Sequence, residues 1–224
     1  MKVSDALMSR RSVRAFLPTP VPESTVRSII ETAARAPSGG NLQPWHVHAV
    51  AGAERERFLA IIKEKMKVTP MGEGSEYHIY PPELKEPYRT RRFRVGEAMY
   101  ATMNIAREDK MKRLGVFAKN FEFFGAPVAL FFTIDRIMQQ GQWADLGMFM
   151  QSIMLLAREH GLHTCAQEAW GIWPKTVKEF LGISDDFIMF AGMALGYADE
   201  SEAINSLRTE RAPLAEYASF RGFA

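Results

Sequence analysis

Two continuous apolar runs constrain the fold of this chain more than any other feature. One covers residues 127–134 and the other covers Phe187–Leu195, and both consist almost entirely of aliphatic and aromatic side chains. A β-strand that reads as an uninterrupted apolar run is buried on both faces of its sheet. The chain must therefore form a central sheet that other elements cover on each side.

Weaker patterns supply those other elements. Further strands are predicted at Trp45–Val50 and Leu162–Gln167. Apolar residues at helical spacing, bounded by Pro or Gly, predict helices in five places: residues 22–36, 54–65, 91–119, 143–160 and from 174 onward. Because strands and helices interleave, the predicted class is α/β or α+β with a central sheet.

The segment 66–87 matches neither periodicity. Proline and glycine interrupt it six times, at Pro70, Gly72, Gly74, Pro81, Pro82 and Pro87. A stretch of this length without regular structure is unusual inside a compact domain and is either disordered or a functional lid.

Composition excludes several classes of protein. The 224 residues are 47% hydrophobic and 24% charged with a net charge of +2, which is typical of a globular protein and does not favour nucleic acid or membrane as a partner. The single cysteine, Cys165, cannot form an internal disulfide and suits a reducing cytoplasm. We expect no signal peptide at the N-terminus, and the longest apolar run, nine residues, is shorter than the roughly 20 of a membrane helix.

Conventional catalytic motifs are absent from the sequence. It contains no GxSxG, no HExxH, no GxxxxGK[ST] and no GxGxxG between a strand and a helix. The five histidines are scattered, and Cys165 lies in an apolar strand, where an inert thiol is commoner than a nucleophile. We therefore predict no metal site and no catalytic side chain.

Three polar clusters remain. Residues 9–14 gather three arginines and two serines, which suit phosphate but also fit a solvated charge run. Residues 36–45 place a glycine pair among amide and hydroxyl groups, which suits close approach of a ligand but also fits an ordinary turn anchored by Trp45. Arg208 and Arg211 form a pair near the C-terminus, and a second basic run covers residues 89–94.

In their order along the chain, these clusters resemble those of the FMN-dependent nitroreductase family. The resemblance rests on residues 9–16 and 36–45, and then on Asp145–Gly147 leading to Gly161–Cys165 and Leu195–Ala198 leading to residues 208–214. It extends over nearly the whole chain and is strongest to the nitrobenzoate-reductase-like branch.

The resemblance implies an α+β fold in which helices flank a central, mostly antiparallel sheet of four or five strands. It further implies an intertwined homodimer with two FMN molecules at the subunit interface. On this basis residues 1–224 are a single FMN-binding domain, in which 66–90 form a variable lid and 205–224 extend over the partner subunit. The apolar stripe Leu146–Ala157 is then expected at the interface.

The resemblance also assigns cofactor-binding residues one by one. Contacts to the FMN phosphate and ribityl chain fall to Arg10, Arg11, Ser12 and Arg14, joined by Arg208 or Arg211 from the far end of the chain. The turn against the isoalloxazine ring, usually contributed by the other subunit, falls to Pro37, Ser38, Gly39 and Asn41.

A third stretch is expected to present a backbone N–H to flavin N5: Gln167, Glu168 and Ala169. Here the sequence departs from the Pro-x-Glu-Gly of many family members, because it reads Ala166-Gln167-Glu168-Ala169. The donor is a main-chain group, so alanine at 169 need not remove it.

The implied activity is a ping-pong transfer of hydride from NAD(P)H through FMN to a nitroaromatic such as nitrobenzoate, a quinone or a similar flat acceptor. It explains the missing catalytic side chains, because the cofactor carries the chemistry and the protein supplies binding and electrostatics. Other FMN chemistry in the family, namely flavin destruction or reductive dehalogenation, and a non-catalytic flavin-binding sensor remain alternatives.

Overall fold

The computed structural model describes residues 1–223, and Ala224, the last residue of the expected C-terminal extension, lies outside the described residues. A four-stranded sheet forms the centre, in the order β1-β2-β4-β3, with every neighbouring pair antiparallel. The predicted α+β class with an antiparallel sheet is confirmed. The strands are β1 (Trp45–Ala51), β2 (Val128–Asp135), β3 (His163–Gln167) and β4 (Phe187–Gly196).

Seven α-helices accompany the sheet among residues 1–223, together with short 3-10 stretches. None of these helices combines the length and the apolar character needed to cross a bilayer. Their bounds are α1 (Val3–Ser9), α2 (Glu23–Ala33), α3 (Gly52–Val68), α4 (Tyr88–Thr102), α5 (Lys110–Ala118), α6 (Gln140–Glu159) and α7 (Pro174–Leu181).

The prediction of one helix over residues 91–119 is wrong, because α4 and α5 are separate. Between them Asn104 adopts a positive φ of 53°, a conformation that asparagine tolerates better than most residues. The Asp109 carboxylate then accepts a hydrogen bond from the Lys112 N–H at 3.1 Å and caps α5. These two residues end one helix and start the next.

The central strand β2 is buried on both faces, as its apolar run predicts. Alternate side chains enter two separate cores: Ala129 and Phe131 on one face, and Leu130 and Phe132 on the other. The first core also takes in α3, α7 and the aromatic residues of two 3-10 stretches, and the second takes in α2 and α6. The molecule is therefore a three-layered sandwich with the sheet in the middle.

The apolar stripe of α6 belongs to the second core. Leu146, Phe149, Ile153 and Ala157 are all at most 1% exposed and pack against the sheet of their own chain. The expectation that this stripe forms a subunit interface is wrong, since side chains buried within one chain offer no surface to another.

The segment 66–87 is anchored at its centre by two carboxylates. Glu73 accepts hydrogen bonds from the Thr176 N–H at 3.0 Å and the Thr176 hydroxyl at 2.6 Å. Glu76 accepts from the Met189 N–H at 2.9 Å and from the buried Lys178 ammonium at 3.0 Å, and it also pairs with Arg136. The segment thus crosses the N-terminal ends of α7 and β4 along a path set by charge-assisted contacts.

These contacts predict a pH-dependent stability. Burial by itself raises the pKa of Glu76, but the hydrogen bonds from Met189, Arg136 and Lys178 outweigh it and hold the pKa below the ordinary glutamate value. A lowered pKa in the folded state adds stability that is present above the unfolded-state pKa and is lost as the pH falls through the folded-state pKa.

We therefore expect Glu76→Gln to lower the free energy of unfolding at pH 7 by roughly 1.5–3 kcal/mol, the usual effect of losing hydrogen bonds to a charged group. The gap between wild type and variant should begin to close as the pH falls below the unfolded-state glutamate pKa of about 4.3, and it should vanish only below the lowered pKa of folded Glu76. Urea unfolding between pH 7 and pH 3 measures the gap, and Glu83→Gln, an exposed position of the same segment, is the control. A gap that stays constant with pH would contradict the assignment.

Candidate functional site

The arginine-rich segment after α1 runs in an extended conformation beside β3. Ser12 forms a parallel bridge with Thr164, and the Val13 N–H donates to the Thr164 carbonyl at 3.1 Å. Side chains alternate in direction along extended backbone, so Arg10, Ser12 and Arg14 share one side. Val13 is fully buried in the core on the other side.

Arg10, Ser12 and Arg14 all influence the buried thiol of Cys165. Burial raises the pKa of this thiol, while Arg14, the Ser12 hydroxyl and Arg10 act in the opposite direction. Burial lowers the pKa of the half-buried Arg10 guanidinium, and the charge of Arg211 lowers it further. The charge of Arg211 thus acts on Arg10, so the two ends of the chain bring like charges near each other.

Arg11 points away from this group. Its guanidinium pairs with Glu200, and it lies close to Arg158 and His163. Burial, followed by the charges of Arg158 and Arg11, lowers the pKa of His163 to about 4, so the imidazole is neutral at pH 7 and accepts from the Arg158 Nη1 at 2.8 Å. Of the four predicted residues in this segment, Arg11 is the one whose charge is already balanced within the chain.

A buried asparagine fastens the C-terminal segment to the arginine-rich segment. Asn205 is 2% exposed, and its Oδ1 accepts from the Arg14 N–H at 2.8 Å. Its Nδ2 donates to the Ala15 and Asp199 carbonyls, both at 2.8 Å. Arg208, three residues after Asn205, donates to the Asn205 carbonyl at 3.0 Å. The sequence carries no local signal for this role, because two of the three partners of Asn205, Arg14 and Ala15, lie about 190 positions earlier.

Arg14 also lines a cavity of about 660 Å³ that contains the third predicted stretch, Gln167–Ala169. One wall is formed by Gly147, Met150 and Met154 of α6. Tyrosine and phenylalanine side chains from the anchored segment, α4, α5 and the 3-10 stretch after α5 complete the lining: Tyr80, Tyr100, Phe117 and Phe124. These aromatic residues were not predicted as site residues.

The side chain of Gln167 is held at one end and unpaired at the other. Its Nε2 donates to the Asn120 carbonyl at 2.8 Å. Its Oε1 is buried and has no hydrogen-bond partner among residues 1–223. A buried acceptor without a partner is costly, so this oxygen favours a ligand that brings an N–H or O–H group into the cavity.

Glu168 and Ala169 open a 3-10 helix, Glu168–Ile172, at the edge of the cavity. The first N–H groups of a helix have no acceptor within the helix, so they are available to a ligand. Burial raises the pKa of the Glu168 carboxyl. This stretch therefore offers main-chain donors beside a carboxyl group that is less readily ionised than usual.

The predicted turn Pro37–Asn41 lies at the opposite end of α6 from the arginine-rich segment. The Gly39 N–H donates to the buried Asp145 carboxylate at 3.1 Å, which fixes the turn to the first half of α6. The arginine-rich segment contacts the end of the same helix, where the Arg158 Nε donates to the Ser9 hydroxyl at 3.2 Å. These two points are roughly 20 Å apart along the helix axis. A single chain does not bring the turn to the arginines.

A larger groove of about 830 Å³ runs along the free edge of β1, between α2 and α7. Its lining includes Val26, Val47 and Phe180 and contains none of the predicted site residues. We assign the candidate site to the smaller cavity, because it is lined by the unpaired acceptor of Gln167, the main-chain donors of Glu168 and Ala169, and the guanidinium group of Arg14.

The comparisons with known proteins identify the family. A model of the nitroreductase family matches residues 7–197. The chain belongs to the nitroreductase family. This family member is 39% identical over 218 residues to a 4-nitrobenzoate reductase of Pseudomonas putida, covering 96% of this chain and 93% of that protein. It is 36% identical over 222 residues to a chloronitrobenzene nitroreductase of Comamonas testosteroni, covering 97% and 96%.

Solved nitroreductase structures match the fold throughout. The FMN and NADPH-dependent nitroreductase NfnB from sphigopyxis sp. strain HMH has a TM-score of 0.96 and 46% identity, with both chains covered completely. The FMN-dependent nitroreductase NfnB from Mycobacterium smegmatis, solved in complex with NADPH, has a TM-score of 0.91 and 30% identity over 99% of this chain and 100% of that chain.

The Asn205 contacts yield a prediction for this nitroreductase-family chain. Asn205→Ala leaves the Arg14 N–H without a partner and removes one of the two hydrogen bonds that each of the Ala15 and Asp199 carbonyls accepts, so the free energy of unfolding should fall by about 1–3 kcal/mol, as measured by urea denaturation. Ser206→Ala, at an exposed neighbouring position, should change it by less than about 0.5 kcal/mol. Equal effects of the two substitutions would contradict the fastening role.

Proposed function

We propose that the protein is an FMN-dependent oxidoreductase that uses NAD(P)H to reduce nitroaromatic compounds, nitrobenzoate among them, and similar flat acceptors such as quinones. The observation that carries the proposal is the meeting of Arg10 and Arg211, from opposite ends of the chain, next to the cavity formed by Arg14 and Gln167–Ala169. Relatives named as 4-nitrobenzoate, chloronitrobenzene and FMN-dependent nitroreductases support it.

The residues present fit FMN. The guanidinium groups of Arg10, Arg14 and Arg211 suit a phosphate, which removes the repulsion between them. The unpaired Gln167 Oε1 suits an N–H or O–H of the flavin, and Met150 and Met154 suit the flat faces of its ring. Ser12 acts on the same thiol as Arg10 and Arg14, Arg208 is held at the Asn205 carbonyl, and Arg11 contributes least because Glu200 already balances its charge.

FMN, when bound, supplies the hydride-transfer chemistry. The N–H groups of Glu168 and Ala169 are donors placed to stabilise negative charge that develops on a ligand in the cavity, and they need no change in protonation to do so. The aromatic wall formed by Tyr100, Phe117 and Phe124 limits access of water. The chain therefore binds and orients FMN and stabilises negative charge that develops in the cavity. None of these tasks requires a nucleophile or a titrating side chain.

We infer that the working form is a homodimer in which the Pro37–Asn41 turn of a second copy completes each site. The large apolar side chains that a single chain leaves exposed on α1, α5 and the C-terminal segment support this inference: Val3, Leu7, Met8, Met111, Leu114, Phe117, Tyr217, Phe220 and Phe223. Because the stripe of α6 faces the sheet, we place these exposed residues at the contact between copies.

We further propose that residues 1–224 act as one cytoplasmic FMN-binding domain, with 66–90 as a lid over the cavity. Ile79 and Tyr80 of this segment line the cavity, which supports a part in selecting the acceptor. Of the extension 205–224, residues 205–216 contact their own chain through Asn205, Arg211 and Glu216. The aromatic residues after 216 are the part that we propose reaches the partner subunit.

The proposal is tested with the purified protein. We expect a yellow dimer in sedimentation, and oxidation of NAD(P)H that depends on 4-nitrobenzoate. Flavin that neither NADH nor NADPH reduces would favour a sensor, and oxidation that depends on oxygen or a halogenated aromatic compound would favour the other chemistries of the family. A colourless protein that stays colourless after incubation with FMN would overturn the proposal.

Arg10→Ala is expected to weaken FMN binding by about 1.5–3 kcal/mol, since it removes a charge-assisted hydrogen bond to phosphate. Arg11→Ala should weaken it much less, because its charge is paired with Glu200. Fluorescence titration of the apoprotein with FMN measures both, and Arg27→Ala on the exposed face of α2 is the control. Full flavin affinity in the Arg10 variant would remove this residue from the phosphate site.

A further inference from the structure

A second basic cavity adjoins the candidate site. It has a volume of about 620 Å³ and lies between one side of α4 and residues 207–216. Five arginines line it, three from the basic run on α4 and two from the C-terminal segment: Arg91, Arg92, Arg94, Arg208 and Arg211. Glu210 and Glu216 are the two carboxylates in the lining, so positive charge prevails by three. With Arg208 and Arg211 directed to the FMN phosphate, the three arginines of α4 still outnumber these carboxylates by one.

The contacts of these side chains leave part of that charge unbalanced. Arg91 pairs with Glu216. Arg208 and Arg211 donate to main-chain carbonyls, and Arg211 also donates to the Thr209 hydroxyl at 2.7 Å. Within residues 1–223, Arg94 makes neither an ion pair nor a side-chain hydrogen bond (it lies on the exposed side of α4). Unbalanced guanidinium groups around one cavity favour an anion with several oxygen atoms.

Tyr80 connects the two cavities. It lines both of them, and the Arg92 guanidinium lies over its ring at 4.0 Å from the centroid. A ligand with a flat ring in the first cavity and a phosphate at a distance from that ring can therefore occupy both. NAD(P)H has this shape, whereas a nitrobenzoate carries its carboxylate on the ring itself and does not reach as far.

We propose that the basic cavity binds a phosphate group of the nicotinamide cofactor, with Arg94 and Arg92 as the residues that recognise it. This inference rests on the proposed function, because it takes NAD(P)H as the reductant. It adds a role for the basic run 89–94, which the FMN site leaves unused, and it makes α4 the element that selects the reductant. The 2′-phosphate of NADPH and the diphosphate shared with NADH are the two sources of the same chemistry.

The test separates binding from turnover. Calorimetric titrations use 2′,5′-ADP and 5′-ADP as probes, with wild type, Arg94→Gln and the control Arg89→Gln. Arg89 belongs to the same basic run and pairs with Glu86, but it does not line the cavity. Circular dichroism and flavin content verify that each variant is folded and loaded.

We expect Arg94→Gln to weaken 2′,5′-ADP binding about tenfold or more, and Arg89→Gln to change it less than twofold. A loss confined to 2′,5′-ADP assigns the 2′-phosphate, and an equal loss for 5′-ADP assigns the diphosphate. Arg94→Lys should recover part of the affinity, since it restores charge without the planar fork. Unchanged binding of both probes to Arg94→Gln would overturn the proposal.

Steady-state kinetics supply a second measurement. The KM for NADPH should rise in Arg94→Gln, while the KM for 4-nitrobenzoate stays within twofold of wild type. A rise confined to 4-nitrobenzoate would show that the cavity serves the acceptor instead, and would overturn the proposal. If the protein bound no FMN the proposed function would fail, yet the titrations with 2′,5′-ADP would still test the cavity, because they require no turnover.

Discussion

The meeting of positively charged side chains from the two ends of the chain is the constraint on which the site depends. Arg10 and Arg14 stand beside β3, and Arg211 arrives from the other terminus. Such an arrangement is unfavourable without an anion, because like charges repel strongly where they are partly buried. The fold maintains it through neutral contacts, chiefly the three hydrogen bonds of Asn205, so the attraction for an anion is built in before the anion binds.

The sequence predicts the sheet well because a strand that is buried on both faces appears in the sequence as an uninterrupted apolar run. The four predicted strands agree with the structure to within about one residue at each end, and the stripe of α6 identifies its buried face. The sequence points to the candidate site where its residues lie close together along the chain, as in residues 10–14 and 167–169, and their contacts with FMN stay a prediction. Asn205, Asn120 and Tyr80 escape prediction because their roles depend on contacts across long separations, and a lone polar or aromatic residue carries no periodic signal.

Two errors of interpretation have the same physical origin. The α6 stripe was expected at a subunit interface, and residues 91–119 were expected to form one helix. Periodicity alone identifies neither the surface that a helix face packs against nor the point at which one helix ends and the next begins. An amphipathic pattern reports that one face of a helix is buried, but it does not say against what. Likewise, the break between α4 and α5 depends on the positive φ of Asn104 and on the cap formed by Asp109. Both are properties of the folded backbone that hydrophobic periodicity does not report.

The anchoring of the irregular segment by Glu73, Glu76 and Tyr77 divides it into two parts with different freedom. The first part, up to Tyr77, is held against α7 and β4 by hydrogen bonds. In this part Gly72 lies so close to Ile172 that a Cβ atom at position 72 would lie 2.6 Å from the Ile172 carbonyl oxygen. The second part, residues 78–87, contributes side chains to the cavity but bears none of the anchor. Loop exchange between relatives is therefore best made after Tyr77. A new loop sequence would then keep the anchoring contacts of Glu73, Glu76 and Tyr77, and its length could differ without disturbing them.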